Sequence, residues 1–141
     1  MEHDQVLRTH GYHPLRVKQV VQETADTRSF VLEVPRHLKN GFTYRAGQFL
    51  TIRLRLTGAQ HIRCYSMSSS PAVDDHVRIT VKRVEGGVVS NWFNKWAKPG
   101  LKVESMPPSG DFVLAEANDE REIVAFCSGS GVTPVFLSLI H

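Results

Sequence analysis

The feature that most constrains this chain is a series of short segments in which apolar and polar residues alternate. Such alternation is the period of a β-strand with one buried face. The segment 50–56 is the clearest, because every second residue is apolar and two arginines lie between the apolar positions. Similar segments lie at 15–21, 29–34 and 77–82, and shorter ones lie at 64–67 and 102–106.

Turn-forming residues separate these segments. Pairs that contain glycine or aspartate occur at 40–41, 46–47, 57–58, 74–75, 86–87, 99–100 and 109–110. Many short strands divided in this way indicate an all-β domain, either an antiparallel barrel or a sandwich. We favour a closed barrel, because closure leaves no exposed strand edge.

One segment departs from the strand pattern and is predicted to be a short helix. It runs from Ser90, a residue type that caps helix N-termini, to the breaking pair 99–100. Trp92, Phe93 and Trp96 are spaced i, i+1 and i+4, so we expect them to share one helix face.

The pattern changes again after residue 118. The continuous apolar run 123–127 is typical of a parallel strand that is buried on both faces. It leads into the glycine turn 129–131 and an apolar helical start at 135–140, which is the first step of a nucleotide-binding fold. One such step cannot bury both faces of its strand. We therefore expect a fragment cut early in a second domain, with a segment that is poorly ordered or self-associates.

Composition excludes several classes of function. The 17 Lys and Arg residues barely exceed the 14 Asp and Glu residues, and the absence of a basic tract argues against nucleic-acid binding. Cys64 and Cys127 lack the spacing of a zinc or iron–sulfur motif, and the seven histidines form no HExxH pattern, so no metal site is predicted. No apolar run reaches the ~18 residues that cross a bilayer. The N-terminus does not resemble a signal peptide, and a cytoplasmic location is expected.

The segment Arg63-Cys64-Tyr65-Ser66 carries side chains suited to a nucleotide cofactor. In a strand, Arg63 and Tyr65 share one face. An arginine can bind a phosphate with two hydrogen bonds, and a tyrosine offers a flat face to a heteroaromatic ring. The alternative is a strand end that enters a serine-rich loop, with Arg63 paired to a surface carboxylate.

The segment Gly86-Gly87-Val88-Val89-Ser90 lies where the predicted helix starts. A glycine pair allows the backbone to approach a ligand closely, and the N–H groups of a first helical turn bind anions. The alternative is a hairpin turn followed by an ordinary N-cap.

Six motifs occur in an order that resembles the ferredoxin–NADP reductase superfamily, and the resemblance extends from about residue 15 to the last residue. The motifs are Tyr-Arg-Ala-Gly-Gln-Phe at 44–49, Arg-Cys-Tyr-Ser at 63–66, Val-Lys-Arg at 81–83, Gly-Gly-Val-Val-Ser-Asn-Trp at 86–92, Pro-Ser-Gly-Asp-Phe at 108–112 and Gly-Ser-Gly-Val-Thr-Pro at 129–134. Within the superfamily the chain looks most like the reductase components of multicomponent oxygenases, of the ketosteroid 9α-hydroxylase and phenylacetyl-CoA oxygenase type.

The resemblance implies a six-stranded antiparallel Greek-key barrel that binds FAD over 12–118, after a disordered tail at 1–11. The start of an NAD(P)-binding domain would follow at 119–141. In the intact protein, NAD(P)H would reduce the flavin, which would pass electrons to a [2Fe–2S] centre that serves an oxygenase or another ferredoxin-type acceptor. FAD is favoured over FMN, because 87–90 suits a pyrophosphate. A four-cysteine motif and the rest of the nucleotide domain are missing, so two alternatives stay open: a flavin-binding module without turnover, and a cofactor-free docking barrel.

The resemblance also implies roles for single residues. Arg63 would contact the pyrophosphate, and Tyr65 would lie against the isoalloxazine. Ser66 would hydrogen-bond near flavin N5 and Thr133 would lie between flavin and nicotinamide, which makes these two the catalytic candidates. The other cofactor-binding candidates are Phe49 near the adenine, Cys64 as a small strand residue, Val81 and Lys82 through the backbone, Gly87, Val88, Val89 and Ser90 around the pyrophosphate, and Gly129, Ser130 and Gly131 in the glycine turn.

Overall fold

The structure is a computed structural model that describes residues 11–113 together with Phe126, Thr133 and Pro134. Within this part the strands are β1 (His13–Thr24), β2 (Thr27–Glu33), β3 (Phe49–Leu56), β4 (Ala59–Ser66), β5 (Val77–Lys82) and β6 (Lys102–Ser105). Helix α1 spans Val88–Lys95, and a 3-10 helix spans Arg36–Phe42. The predicted tail and the predicted start of a nucleotide domain lie outside the described residues, except for Gly11 and the three single positions.

The six strands form one antiparallel sheet in the order β4-β3-β6-β1-β2-β5. The two end strands of this order meet, because Met67 forms an antiparallel bridge with Ile79 and the Ser68 N–H donates to the Arg78 carbonyl at 2.7 Å. The sheet therefore closes on itself, and the predicted six-stranded antiparallel barrel is confirmed. Among the described residues, no helix has the length and apolarity needed to span a bilayer.

The alternation seen in the sequence separates the barrel interior from its outer face. On β3, Leu50, Ile52 and Leu54 are buried, whereas Arg53 points outward and forms an ion pair with Glu104 of β6. The largest fully buried side chains come from five of the strands, from α1 and from the residue after β4: Leu15, Val17, Phe30, Leu32, Leu50, Ile52, Met67, Ile79, Val81, Val89, Phe93 and Val103. Burial of this apolar surface is the main term that stabilises the barrel.

The prediction of Ser90 as the helix N-cap is wrong. The N-cap is Gly87, three residues earlier, and helix α1 begins at Val88. The glycine pair has already turned the chain at this point. The Ser90 hydroxyl is therefore free to accept a hydrogen bond from the Val84 N–H at 3.0 Å.

The three aromatic residues of α1 do not share one buried face. Phe93 is fully buried, but Trp96 is 62% exposed. Trp96 is the C-cap residue with a φ of −116°, so the regular angular spacing of a helix has already ended there. Strand β4 also differs from its prediction: it begins at Ala59, five residues before the expected start.

Candidate functional site

The candidate site lies where the pairing between β4 and β5 stops. In the described part of the chain, this pairing consists of the Met67–Ile79 bridge and the neighbouring hydrogen bond from Ser68 to Arg78, and the same antiparallel register places Tyr65 level with Val81. Helix α1 spans this gap, because the Phe93 ring contacts Tyr65 edge-to-face at 5.7 Å. From the same helix, Asn94 Nδ2 donates to the Val81 carbonyl at 3.1 Å. We call the surface formed by 63–66 of β4, 80–82 of β5 and 87–90 at the start of α1 the seam.

The direction of the β4 side chains follows from its pairing with β3. Arg63 is paired with Ile52 and Tyr65 with Leu50, and both partners are buried inside the barrel. Residues directly opposite in an antiparallel pair point to the same face. Arg63 and Tyr65 therefore share one face, as predicted, and the pairing shows that it is the inner face. Cys64 lies on the outer face and is exposed.

Tyr65 and Arg63 provide an aromatic face and a cation at the seam. Burial raises the pKa of the Tyr65 hydroxyl, and the nearby positive charge of Arg63 opposes this rise only in part. Tyr65 is therefore a neutral hydroxyl at physiological pH. Arg63 is exposed, and its Nη1 donates to the Ile62 carbonyl at 2.8 Å. Within residues 11–113 it has no carboxylate partner, which leaves most of its five N–H donors for an anion.

The glycine segment before α1 is held in a fixed conformation by side chains of the helix. The Gly87 N–H donates to the Val84 carbonyl at 2.9 Å, and the Val84 N–H donates to the Ser90 hydroxyl at 3.0 Å. Asn91 Nδ2 donates to the same Val84 carbonyl at 2.9 Å. These bonds tie the loop to the first turn of α1, so the loop is organised before any ligand arrives.

The first turn of α1 fits an anionic group. Its N-cap is Gly87, so within the described chain no side chain caps the helix, and its first turn contains no acidic residue. The leading N–H groups of a helix have no partner inside the helix, and they attract anions. The side chain of Val89 is buried, with 1% of the residue exposed, so only its backbone could contact a ligand. Val88 is 46% exposed and lies at the surface of the same turn.

The remaining predicted residues occupy different environments. The side chain of Val81 is fully buried and its carbonyl accepts from Asn94, whereas Lys82 is exposed. Ser66 is half-buried at the end of β4 and is paired with Phe49 of β3.

Two predicted groups lie at the end of the chain. Gly129, Ser130 and Gly131 lie outside the described residues. Thr133 is described, and its backbone is helical. The roles assigned to these residues and to those of the seam stay predictions.

Sequence reasoning missed two asparagines that build the site. Asn91 fastens the glycine segment, and Asn94 joins α1 to β5. Asparagine is a poor residue for a helix interior because its side chain competes for backbone groups. Two asparagines three residues apart in a short helix are therefore the sequence signal that could have indicated local hydrogen bonding.

A second concave surface lies at the other end of β5 and contains none of the predicted flavin residues. It has a volume of about 590 Å³ and lies between the 3-10 helix and the loop before Val77. Tyr44 lines it and its hydroxyl hydrogen-bonds to Ser69 at 2.6 Å. Among the residues described, no group of three or more His, Cys, Asp or Glu side chains could hold a metal ion.

Replacing Gly87 with alanine tests the conformation of the glycine segment. A Cβ at this position would lie 2.7 Å from Ser90 Oγ and 3.1 Å from the Val84 carbonyl oxygen. The hydroxyl would have to leave the Val84 N–H, so we expect a loss of about 1–2 kcal/mol in the free energy of unfolding. Thermal or denaturant unfolding measures it.

The control for this prediction is Ser90→Ala, alone and combined with Gly87→Ala. Because both changes break the same hydrogen bond, the double variant should be hardly less stable than Ser90→Ala, with a coupling of at least ~0.5 kcal/mol. Strictly additive losses would contradict the contact.

The fold is a closed antiparallel barrel, and the seam presents side chains of the kinds that suit a nucleotide cofactor. The family model of the oxidoreductase FAD-binding domain matches residues 14–114. The chain therefore belongs to this family, and the resemblance to ferredoxin–NADP reductases predicted from six motifs is confirmed.

Curated relatives match most of this chain. The chain is 44% identical over 122 residues to the ferredoxin reductase component of 3-ketosteroid-9-alpha-monooxygenase from Rhodococcus rhodochrous, and the match covers 86% of this chain and 34% of that protein. The chain thus spans about a third of the length of the curated relatives it matches.

Solved structures show the same fold. The flavohem-like FAD/NAD binding domain of nitric oxide dioxygenase from Vibrio cholerae O1 biovar El Tor matches with a TM-score of 0.74 and 32% identity, covering 94% of this chain and 56% of that one. Phthalate dioxygenase reductase, described as a modular structure for electron transfer from pyridine nucleotides to [2Fe–2S], matches with a TM-score of 0.67 and 25% identity, covering 92% and 39%.

Proposed function

We propose that this chain is the FAD-binding part of an NAD(P)H-dependent reductase that passes electrons to a [2Fe–2S] centre serving an oxygenase. The observation that carries the proposal is the seam, where Arg63 and Tyr65 share one face of β4 and α1 packs on Tyr65 through Phe93, beside the point where β4 and β5 stop pairing. Membership of the FAD-binding domain family supports the cofactor. The reductase relatives support the acceptor, an oxygenase or a ferredoxin-type protein.

Different residues of the seam would bind different parts of the cofactor. Arg63 and the first-turn N–H groups of α1 would hold the pyrophosphate, since both are donors suited to phosphate oxygens. Tyr65 would pack its ring against the isoalloxazine. The fully buried Phe93 contacts the Tyr65 ring edge-to-face and shields that part of the Tyr65 ring from water. The Ser66 hydroxyl would donate a hydrogen bond at the polar edge of the flavin. When bound, FAD supplies the redox chemistry, and the protein supplies orientation and electrostatics.

The proposal extends to the organisation of the chain. Residues 12–118 would form the flavin barrel, and 119–141 would begin the NAD(P)-binding domain with Thr133 between the two cofactors. The glycine turn 129–131 would approach the nicotinamide nucleotide. Self-association through this second segment and a cytoplasmic location stay predictions.

The first experiment is a titration of the purified chain with FAD, followed by flavin absorbance and thermal unfolding. At a free concentration of 100 times Kd, FAD should stabilise the fold by about 2.7 kcal/mol. A sample with no flavin bands and no thermal shift on adding FAD would overturn the proposal and support a cofactor-free docking barrel.

A second experiment separates a reductase from a flavin-binding module without turnover. It measures the oxidation of NADH and NADPH by the 141-residue chain with an artificial electron acceptor. Turnover above a few per second, in the range of typical enzymes, would exclude the module. FAD binding without turnover would support it for this chain.

A further inference from the structure

Asn94 connects the two halves of the seam. Its Nδ2 donates to the Val81 carbonyl of β5 at 3.1 Å and to the Ser90 carbonyl of α1 at 2.9 Å. One amide group therefore contacts both the strand edge beside Tyr65 and the turn proposed to hold the pyrophosphate. Because both N–H donors point to carbonyl oxygens, the orientation of the amide is fixed.

Asn94 adds a contact at the point where β4 stops pairing with β5. Val81 lies beyond the Met67–Ile79 bridge. Val81 is paired with Arg28 of β2, so the Asn94 amide is a second contact to this part of β5, made from the helix rather than from a strand. It ties α1 to β5 where the barrel is open.

The same side chain carries a feature that stability alone does not explain. Asn94 Oδ1 is buried and has no hydrogen-bond partner among the residues that the structure describes. A buried acceptor without a partner destabilises the folded state. A leucine of similar size would remove this unpaired oxygen, at the expense of the two donors.

We propose that Asn94 is a positioning residue that fixes the phosphate-binding turn of α1 relative to the ring-binding edges of β4 and β5. The inference rests on the proposed function, because it assigns the two ends of one FAD molecule to the two structures that Asn94 joins. A ligand that contacts both structures should bind more weakly when the connection is lost. A ligand that contacts only the ring-binding edges should bind with the same affinity.

The test compares the affinities of FAD and riboflavin for Asn94→Leu and for the unaltered chain, by quenching of flavin fluorescence. Riboflavin has the isoalloxazine but no pyrophosphate. We expect the Kd of FAD to rise about tenfold and that of riboflavin to rise less than about twofold. We also expect faster amide exchange at 91–94 in the cofactor-free variant, since these N–H groups bond within the helix and α1 is no longer tied to β5.

Asn94→Ala is the second variant, because it removes both N–H donors, adds no charge beside the proposed pyrophosphate site and suits a helix. It should change the ratio of the two Kd values in the same direction, and it tests the proposal if Asn94→Leu does not fold. Val103→Ala is the control for general destabilisation, since Val103 is buried on β6. It should lower the melting temperature and leave the ratio unchanged.

The outcomes separate this inference from the proposed function. If the unaltered chain binds FAD and both Asn94 variants keep its ratio of FAD to riboflavin affinity, the positioning role is overturned and the function stands. If the unaltered chain binds no FAD, the proposed function fails and this inference fails with it.

Discussion

Replacing Arg63 with alanine should weaken FAD binding by about 1.5–3 kcal/mol, the scale of a charge-assisted hydrogen bond, which is a roughly 10- to 150-fold rise in Kd. The side chain lies on the inner face of β4 beside Tyr65 and is exposed at the seam. One of its nitrogens donates to the Ile62 carbonyl, which orients the guanidinium and leaves other donors for phosphate oxygens. Titration followed by flavin fluorescence measures the effect.

Two controls make the Arg63 result specific. Arg63→Lys keeps the charge but loses the planar pair of donors. Its Kd for FAD should therefore lie between those of the unaltered chain and of Arg63→Ala. Arg55→Ala removes an exposed arginine from the outer face of β3, away from the seam, and should leave the Kd unchanged within about twofold. An Arg63→Ala chain that binds FAD as tightly as the unaltered one would remove Arg63 from the site.

The strands were predictable because their signal is local. The pattern over 77–82 coincides with β5, and 50–56 differs from β3 by one residue. The prediction for β4 is too short because its first six residues are exposed apart from the half-buried His61, and none of them is buried. Alternation of buried and exposed positions cannot be read from a strand that has so little buried surface.

Part of the site followed from the same local rule. The period of two in a strand places Arg63 and Tyr65 on one face, and the pairing of β4 with β3 shows that face to be the inner one. The position of the seam could not be predicted, because it depends on where two strands at opposite ends of the sheet order stop pairing. The link from Asn94 to Val81 depends on the same non-local geometry.

The motif at 44–49 shows what resemblance alone could not explain. The Gln48 side chain donates to the Gly110 carbonyl at 3.2 Å, and the Phe49 N–H donates to the Ser109 carbonyl at 2.8 Å. The motif at 108–112 is therefore the packing partner of 44–49, about sixty residues away in the chain. The role of Phe49 near the adenine stays a prediction, and its backbone makes the contact with Ser109.

Replacing Gly47 with alanine should cause the largest loss of stability among the changes considered. Gly47 has a φ of 97°, and a Cβ there would lie 1.9 Å from the carbonyl oxygen of Phe112. The positive φ costs an alanine about 1–2 kcal/mol, and moving the 108–112 backbone adds about 1–3 kcal/mol. We expect the free energy of unfolding to fall by about 2–5 kcal/mol and the melting temperature to fall by roughly 10–25 °C.

Two other glycines separate the causes of the Gly47 effect. Gly100 also has a positive φ, 95°, but a Cβ there meets no described atom within 4 Å, so Gly100→Ala reports the backbone strain alone. Gly41 has neither a positive φ nor a described neighbour within 4 Å, so Gly41→Ala should change stability by less than about 0.5 kcal/mol. If Gly47→Ala destabilises the chain no more than Gly100→Ala, then the contact with Phe112 does not hold the two motifs together. A larger loss at Gly47 means that the segment 108–112 is fixed against the start of β3, beside the paired residues Phe49 and Ser66 at the edge of the seam.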